Sequence, residues 1–243
     1  MKYIFVFFIF FTISFAQDIE DDMLEDFNDI KIEQKQQNDP FKSYNIFMTN
    51  FNDKVYHNIW KPVATTYKNS VNEEVRNSID NMFLNLLYPI SFVNNILQLK
   101  LKNALIETGR FIINSTLGIF GLFDVAKNGF GLEPKREDFG QTLGYWGVGS
   151  GPHIVLPFFG PSNLRDLVSF YPDALLNPVV YDDNSKYHIP NTPAQSAGLI
   201  IYDKLNKTSL NINLYDNITD GALSKYQILK TTYEQKRAKE IKE

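Results

Sequence analysis

Apolar residues recur every three or four positions along most of this chain, a spacing that predicts helices rather than strands. Phe41, Tyr44, Phe47, Met48, Phe51, Val55 and Ile59, with Asn and Lys between them, mark an amphipathic helix expected to end near Pro62. Val63, Tyr67, Val71, Val75, Ile79, Met82, Phe83 and Leu86 predict a second helix, stopped before Pro89. Apolar content continues through Phe92, Val93, Ile96, Leu97, Leu99 and Leu101. After a polar turn at Lys100 to Asn103, Leu105, Phe111, Ile112 and Leu117 mark a third helix. Ser162 offers a cap for a short helix carrying Leu164, Leu167 and Val168, and Asn191-Thr192-Pro193 opens another through Leu205. Lys225 to Glu243 completes the chain as a mildly basic amphipathic helix that reads as a solvated face. Strands are confined to short stretches around His153 to Phe158 and Leu210 to Leu214, so the fold class is mainly α.

Two regions depart from the helical period. Near the start, Lys2 precedes the apolar run from Ile4 to Phe11, and Ser14-Phe15-Ala16 places small residues three and one before a cut. Residues 1–16 therefore read as a secretory signal cleaved before Gln17. The run from Tyr3 to Ala16 is shorter than the ~20 apolar residues of a spanning helix. Residues 17–38 form an acidic leader that either stays flexible or makes a short helix on Ile19, Met23, Phe27 and Ile30. In the middle of the chain, eleven of the thirteen glycines lie between Gly109 and Gly160, interleaved with Phe120, Phe123, Phe130, Phe139, Tyr145, Trp146, Phe158 and Phe159. Large apolar groups are thus mounted on a backbone free to bend or to pack closely.

Composition and charge narrow the function. With 44% hydrophobic and 21% charged residues the chain can bury a core. Residues 17 to 39 hold nine acids and two lysines, which leaves 21 basic and 19 acidic residues for 40 to 243. That body carries no clustered basic footprint, so nucleic acid is not an expected partner. There is no cysteine, hence no disulfide or thiolate chemistry. Gly147-Val148-Gly149-Ser150-Gly151 looks like a phosphate loop, but Pro152 stands where the dinucleotide fingerprint needs glycine, and no Lys-Ser/Thr follows. Around Ser150 the glycines of a hydrolase elbow are replaced by Val148 and Pro152. His57, His153 and His188 lack metal-ligand spacing, and no cofactor is expected. Asp124, Asp138, Asp166 and Arg165 read as helix-capping and turn residues rather than catalytic ones.

Four ordered strings carry a family resemblance. Asp39-Pro40-Phe41-Lys42-Ser43-Tyr44-Asn45 with Phe47 and Phe51-Asn52 is the first, and Lys61-Pro62-Val63-Ala64 with Val75-Arg76-Asn77 and Asn81-Met82-Phe83 the second. The third runs from Arg110-Phe111 through Asn114, Gly118 and Gly121 to Asp124-Val125-Ala126. The fourth is Glu137-Asp138-Phe139-Gly140-Gln141-Thr142-Leu143-Gly144, continuing through Gly147 to Pro152, Leu156 to Ser162 and Leu164-Arg165-Asp166. Together they resemble the MlaA/VacJ family, clearly over residues 39 to 176. The resemblance implies a ring-shaped, multi-helix, membrane-embedded single domain with the Gly/aromatic-rich segment at its centre, lying on the periplasmic side of the outer membrane. It implies a non-enzymatic phospholipid conduit that clears mislocalised lipid from the outer leaflet, passes it to a periplasmic lipid carrier protein, and is held in place by a trimeric porin. Members are commonly lipoproteins, and this sequence has no cysteine to acylate.

On that reading the helical domain spans residues 39–215, followed by a basic helix over 216–243. The lipid channel would use Phe120, Phe139, Tyr145, Leu156 and Phe158 as acyl-facing groups, with Gly144, Gly147, Gly149 and Gly151 letting the backbone curve around it. Each of these residues has ordinary core packing as its alternative role. The rival functions are a periplasmic structural or adhesion protein without lipid transport, and an envelope hydrolase.

Overall fold

The computed structural model describes residues 39–183 and 187–243; the expected signal segment and acidic leader lie outside the described residues. Helix α1 (Lys42–Val55) continues through one π-helical turn (Tyr56–Trp60) into α2 (Lys61–Ser70). The expected stop at Pro62 is not observed. The N–H of Lys61 reaches back to the carbonyl of Tyr56, and the widened turn delivers Pro62 to the start of α2, where a missing N–H costs least. The second expected helix is two helices. Val71 is extended (φ −123°, ψ 128°) and ends α2. Then α3 (Glu73–Leu86) begins after Asn72, with Glu73 and Glu74 favourably placed in its first turn. The apolar period runs through this break and conceals it.

Pro89 lies in the first turn of α4 (Tyr88–Leu97), which packs against α5 (Leu101–Thr116) as a hairpin. The turn between them falls at Gln98–Lys100, so Lys102 and Asn103 are helical rather than part of the expected turn. After α6 (Val125–Phe130) and α7 (Phe139–Tyr145) comes an antiparallel hairpin, β1 (His153–Leu156) and β2 (Gly160–Asn163), in the register His153↔Asn163 to Leu156↔Gly160. β2, with Gly160 and Pro161, has poor strand chemistry and carries no sequence signal. The cap of α8 (Leu164–Leu176) is Asn163, which accepts from the Asp166 N–H at 2.9 Å; Ser162, the expected cap, is paired opposite Ile154 in the sheet. Thr192 does cap α9 (Pro193–Leu210). The expected strand over Leu210 to Leu214 is instead the junction of α9 with α10 (Leu214–Thr219). The last helix, α11 (Lys225–Glu240), leans on β2, α1 and α10.

The interior is unusually polar. The largest fully buried side chains are Gln98, Asn45, Asn94, Asn95, Asn163 and Asn206, whereas Leu105 and Phe120 are 72% and 79% exposed. One small apolar cluster joins Leu214 and Ile218 to Ile228 and Leu229. Among the described residues no helix is long and apolar enough to cross a membrane.

Buried amides can replace apolar contacts because each carries a donor and an acceptor, like a peptide group. Asn45, Thr49 and Asn52 share one face of α1 at helical spacing, and that face meets the unpaired edge of β1. Asn45 Nδ2 donates to the His153 carbonyl (3.0 Å), and its Oδ1 accepts from the Val155 N–H (2.8 Å). Asn52 repeats the pattern, donating to the Leu156 carbonyl (2.8 Å) and accepting from the Phe158 N–H (2.7 Å). Two side chains of α1 thereby act as a third strand. Removing a buried partner leaves an unpaired group worth ~1–3 kcal/mol, so Asn45→Ala, which strips two, is expected to destabilise by roughly 2–4 kcal/mol. Asn52→Ala should cost less, because the Phe158 end of its pair is exposed. Urea unfolding followed by circular dichroism measures both; equal small losses would show that the amides do not hold the strand.

Candidate functional site

Two cavities of nearly equal size flank α11. The first, of about 530 Å³, is mainly apolar and lies among α1, the β-hairpin, α9 and α11; Val55, Val155, Phe158, Ile200, Ile201 and Leu229 supply much of its wall. The second, of about 520 Å³, is mixed: Asp80, Arg136, Asp138, Gln141, Asp173 and Arg237 share its wall with Leu84, Leu87, Ile90 and Phe170. Tyr233 and Lys236 belong to both walls. The helix whose composition reads as a solvated face is thus a partition: Tyr226, Thr232, Tyr233, Lys236 and Arg237 are all buried.

What fixes this partition is an ion-pair cluster. Arg237 donates from Nη1 and Nη2 to the two carboxylate oxygens of Asp138 (2.7 and 2.8 Å) and from Nε to Asp166 Oδ2 (3.1 Å). Arg165 pairs with Asp166 from its other side (2.9 Å), and the Tyr233 hydroxyl donates to Asp166 Oδ2 (2.6 Å). Burial alone would raise the Asp166 pKa, but Arg237, Tyr233 and Arg165 outweigh it and hold the carboxyl below its ordinary value. Burial and the same carboxylate push the Tyr233 phenol well up, so it stays a neutral donor. Asp138 also closes a capping box with Gln141 at the start of α7. Gly140 is required by close approach: a Cβ there would lie 2.5 Å from Asp166 Oδ1 and 2.6 Å from Arg237 Nη2.

The other quoted strings also resolve into contacts. Asp39 accepts from Tyr226 and from Lys230 (3.1 Å), tying the start of α1 to α11. Asp124 caps α6 and accepts from Arg110 Nη2 (2.9 Å) and Asn114 Nδ2 (2.9 Å), while Asn114 Oδ1 accepts from the Ala126 N–H (2.8 Å). Capping describes Asp124 and Asp138; for Asp166 it does not, since its carboxylate is the centre of the cluster just described.

Of the nine expected channel residues, Phe158 lines the apolar cavity. The other eight are absent from both walls. Leu156 is buried in β1, and Phe139 is half-buried in the first turn of α7. Phe120 and Tyr145 are exposed. Gly144 lets Ile241 and Arg165 approach α7. Gly147 (φ 87°) and Gly151 (φ 69°) are left-handed, whereas Gly149 has ordinary φ and open space around it. Residues that sequence reasoning missed, among them Ile200, Ile201 and Leu229, lie in plain helical runs with no local mark. Ser150 bonds weakly to the Gly151 carbonyl, and the described residues contain no metal-binding cluster.

Comparison with known proteins accords with this geometry. The family model for "MlaA lipoprotein" matches residues 37–240, and the chain belongs to that family. It is 38% identical over 143 residues to the intermembrane phospholipid transport system lipoprotein MlaA of Escherichia coli K12, covering 55% of each chain. An uncharacterised protein of Rickettsia typhi is 30% identical over 200 residues, 82% of this chain and 76% of that one. A solved structure described as "Structural basis for maintenance of bacterial outer membrane lipid asymmetry" superposes with a TM-score of 0.70 at 31% identity, over 84% of this chain and all of that one. The family is one of non-enzymatic phospholipid transport, linked to outer-membrane lipid asymmetry.

Replacing Arg237 by Met would leave Asp166 and Asp138 without their shared cation. Breaking a buried pair from one side costs about 3–5 kcal/mol. A depressed carboxylate pKa contributes stability that is present above the unfolded value of about 3.9 and lost as pH falls through the folded one. The penalty of Arg237→Met should therefore be largest near neutral pH and shrink below about pH 4. Denaturation midpoints at pH 7 and pH 3 provide the check, and a pH-independent penalty would assign the loss to packing.

Proposed function

We propose that this chain is a conduit that takes mislocalised phospholipid from the outer leaflet of the outer membrane and passes it to a soluble periplasmic carrier. The observation that carries this reading is the adjacency along α11 of an apolar cavity and a mixed one lined by charged side chains, with Tyr233 and Lys236 in both walls. Placing a charged head group in an apolar medium is prohibitive, and exposing acyl chains to water costs ~0.8 kcal/mol per CH₂. A lipid path therefore needs walls of both kinds side by side, and no reactive group. Ion pairs buried at the partition keep the two walls in register.

The exterior supports a seat in the inner leaflet. A ring-shaped body embedded there would turn its exposed apolar groups, Phe120, Tyr145 and Leu105 among them, toward lipid, while Phe158 keeps the acyl-facing role. Amphipathic helices hold to an interface by buried area, weakly unless a second attachment exists; a trimeric porin would supply it. In this proposal residues 1–16 direct export, 17–38 are a leader, 39–215 handle lipid, and the basic helix within 216–243 divides the path.

Phe158→Asp and Ile201→Asp test the path. Both side chains line the apolar cavity yet are more than half exposed, and Phe158 has φ 67°, a conformation Asp tolerates better than Phe, so the variants should fold. An unpaired carboxylate against acyl chains costs several kcal/mol, which is expected to reduce flux at least tenfold. Outer-leaflet phospholipid per folded molecule, in cells lacking their own homologue, is the quantity to measure. Normal flux in both variants, together with parent protein that purifies free of lipid, would favour a structural or adhesion role.

A further inference from the structure

Among the described residues, Arg136 is the one basic side chain in the wall of the mixed cavity without a hydrogen bond or ion pair. The other four are engaged: Lys127 with Glu133 (3.3 Å), Lys207 with Asp203 (3.4 Å), Lys236 with Glu240 (3.6 Å), and Arg237 with Asp138 and Asp166. The backbone around Arg136, by contrast, is held from both sides. It belongs to 131–138, a stretch without helix or strand between α6 and α7. There the Lys135 N–H donates to Glu107 Oε1 (2.5 Å), the Lys135 carbonyl accepts from Asn95 (2.8 Å), and the Glu137 carboxylate accepts from Gln98 (2.8 Å) and Lys100 (2.7 Å). A guanidinium is thus presented from a fixed base with its five donors unspent. A smaller hollow, of about 30 Å³, shares Asn81, Leu84, Asp124 and Arg136 with the mixed cavity, so these four stand together where the two spaces meet. Asp124 does not claim Arg136, because its oxygens already accept from Arg110 (2.9 Å), Asn114 (2.9 Å) and the Lys127 N–H (3.1 Å). The Asn81 amide is held only by a 3.5 Å contact to the Leu122 carbonyl, too long to commit it.

We infer that Arg136 receives the phosphate of a phospholipid in the mixed cavity, with the Asn81 amide as a second donor. A phosphodiester carries negative charge on oxygens that only accept, and the planar guanidinium binds two of them through parallel N–H bonds. Each of the other four cations in the wall would first have to leave a carboxylate, which makes Arg136 the position of least cost. Leu84, Leu87 and Ile90 in the same wall give the glycerol and the first acyl methylenes an apolar bed. Arg136 is exposed, so its grip on the phosphate is weakened by water and salt and can be released, as a transported lipid requires. The inference rests on the conduit reading and adds to it the group that takes the phosphate.

The test uses protein purified from the full chain and offered equal amounts of phosphatidylethanolamine and diacylglycerol with identical acyl chains; bound lipid is extracted and quantified by mass spectrometry. The parent is expected to retain the phospholipid about fivefold over the diacylglycerol, the ratio that one exposed ion pair supplies at its upper end. Arg136→Gln should move the ratio toward unity, with helix content checked by circular dichroism. Asn81→Asp, which puts a carboxylate in the same stretch of wall to claim the guanidinium and repel phosphate, should do the same and decides the matter if Arg136→Gln does not fold. Loss of the preference to inorganic phosphate at the concentration of the lipid would assign the site to the free anion and overturn the lipid anchor. An unchanged preference in the folded variants, or none in a parent that retains both lipids, overturns the anchor and leaves the conduit standing. A parent that retains neither lipid overturns the conduit reading, and the anchor with it.

Discussion

Buried side-chain amides standing in for peptide groups are the interaction on which the rest of this structure depends. An amide out of water is favourable where its polar ends find partners, and Asn45, Asn52, Asn94 and Asn206 each use both ends, while Asn95 Oδ1, Gln98 Oε1 and Asn163 Nδ2 are left without a partner among the described residues. Asn45 and Asn52 complete the free edge of β1. Asn94 donates to Asp173 and accepts from Thr142, joining α4 to α7 and α8. Asn206 donates to the Arg76 carbonyl and accepts from Tyr67, joining α9 to α3 and α2. Gln98 and Lys100 together hold Glu137 just before α7. Directional bonds of this kind fix separations that apolar contacts would leave adjustable.

A polar interior has a consequence for the surface. Among the described residues few large apolar side chains are fully buried, and many others, Leu105, Phe120 and Ile201 among them, are exposed or line the apolar cavity. In water such a surface is a liability; against lipid it is ordinary. The same division serves transport, because the elements enclosing the cavities are braced by hydrogen bonds and ion pairs rather than by filling the space between them. Function and stability therefore draw on different residues: Arg237, Asp166 and Asp138 brace α11, while Phe158 and Ile201 offer the surface a lipid would touch.

The sequence by itself determined the mainly α class, the cap of α9 at Thr192, the short strand at His153 and the family, because each rests on local periodicity, capping chemistry or an ordered string of residues. It also marked Asp39, Asn45, Arg110, Asp124, Asp138 and Asp166 as members of motifs, without saying what they hold. Tertiary structure decided the rest. The break at Val71 and the π turn before Pro62 are choices of backbone geometry that an uninterrupted apolar period does not record. β2 exists because β1 recruits Gly160 to Asn163, not because those residues favour a strand. The wall of the apolar cavity comes from α1, the hairpin, α9 and α11, elements up to about 190 residues apart in sequence. Their apolar members look like any helix face until packing places them.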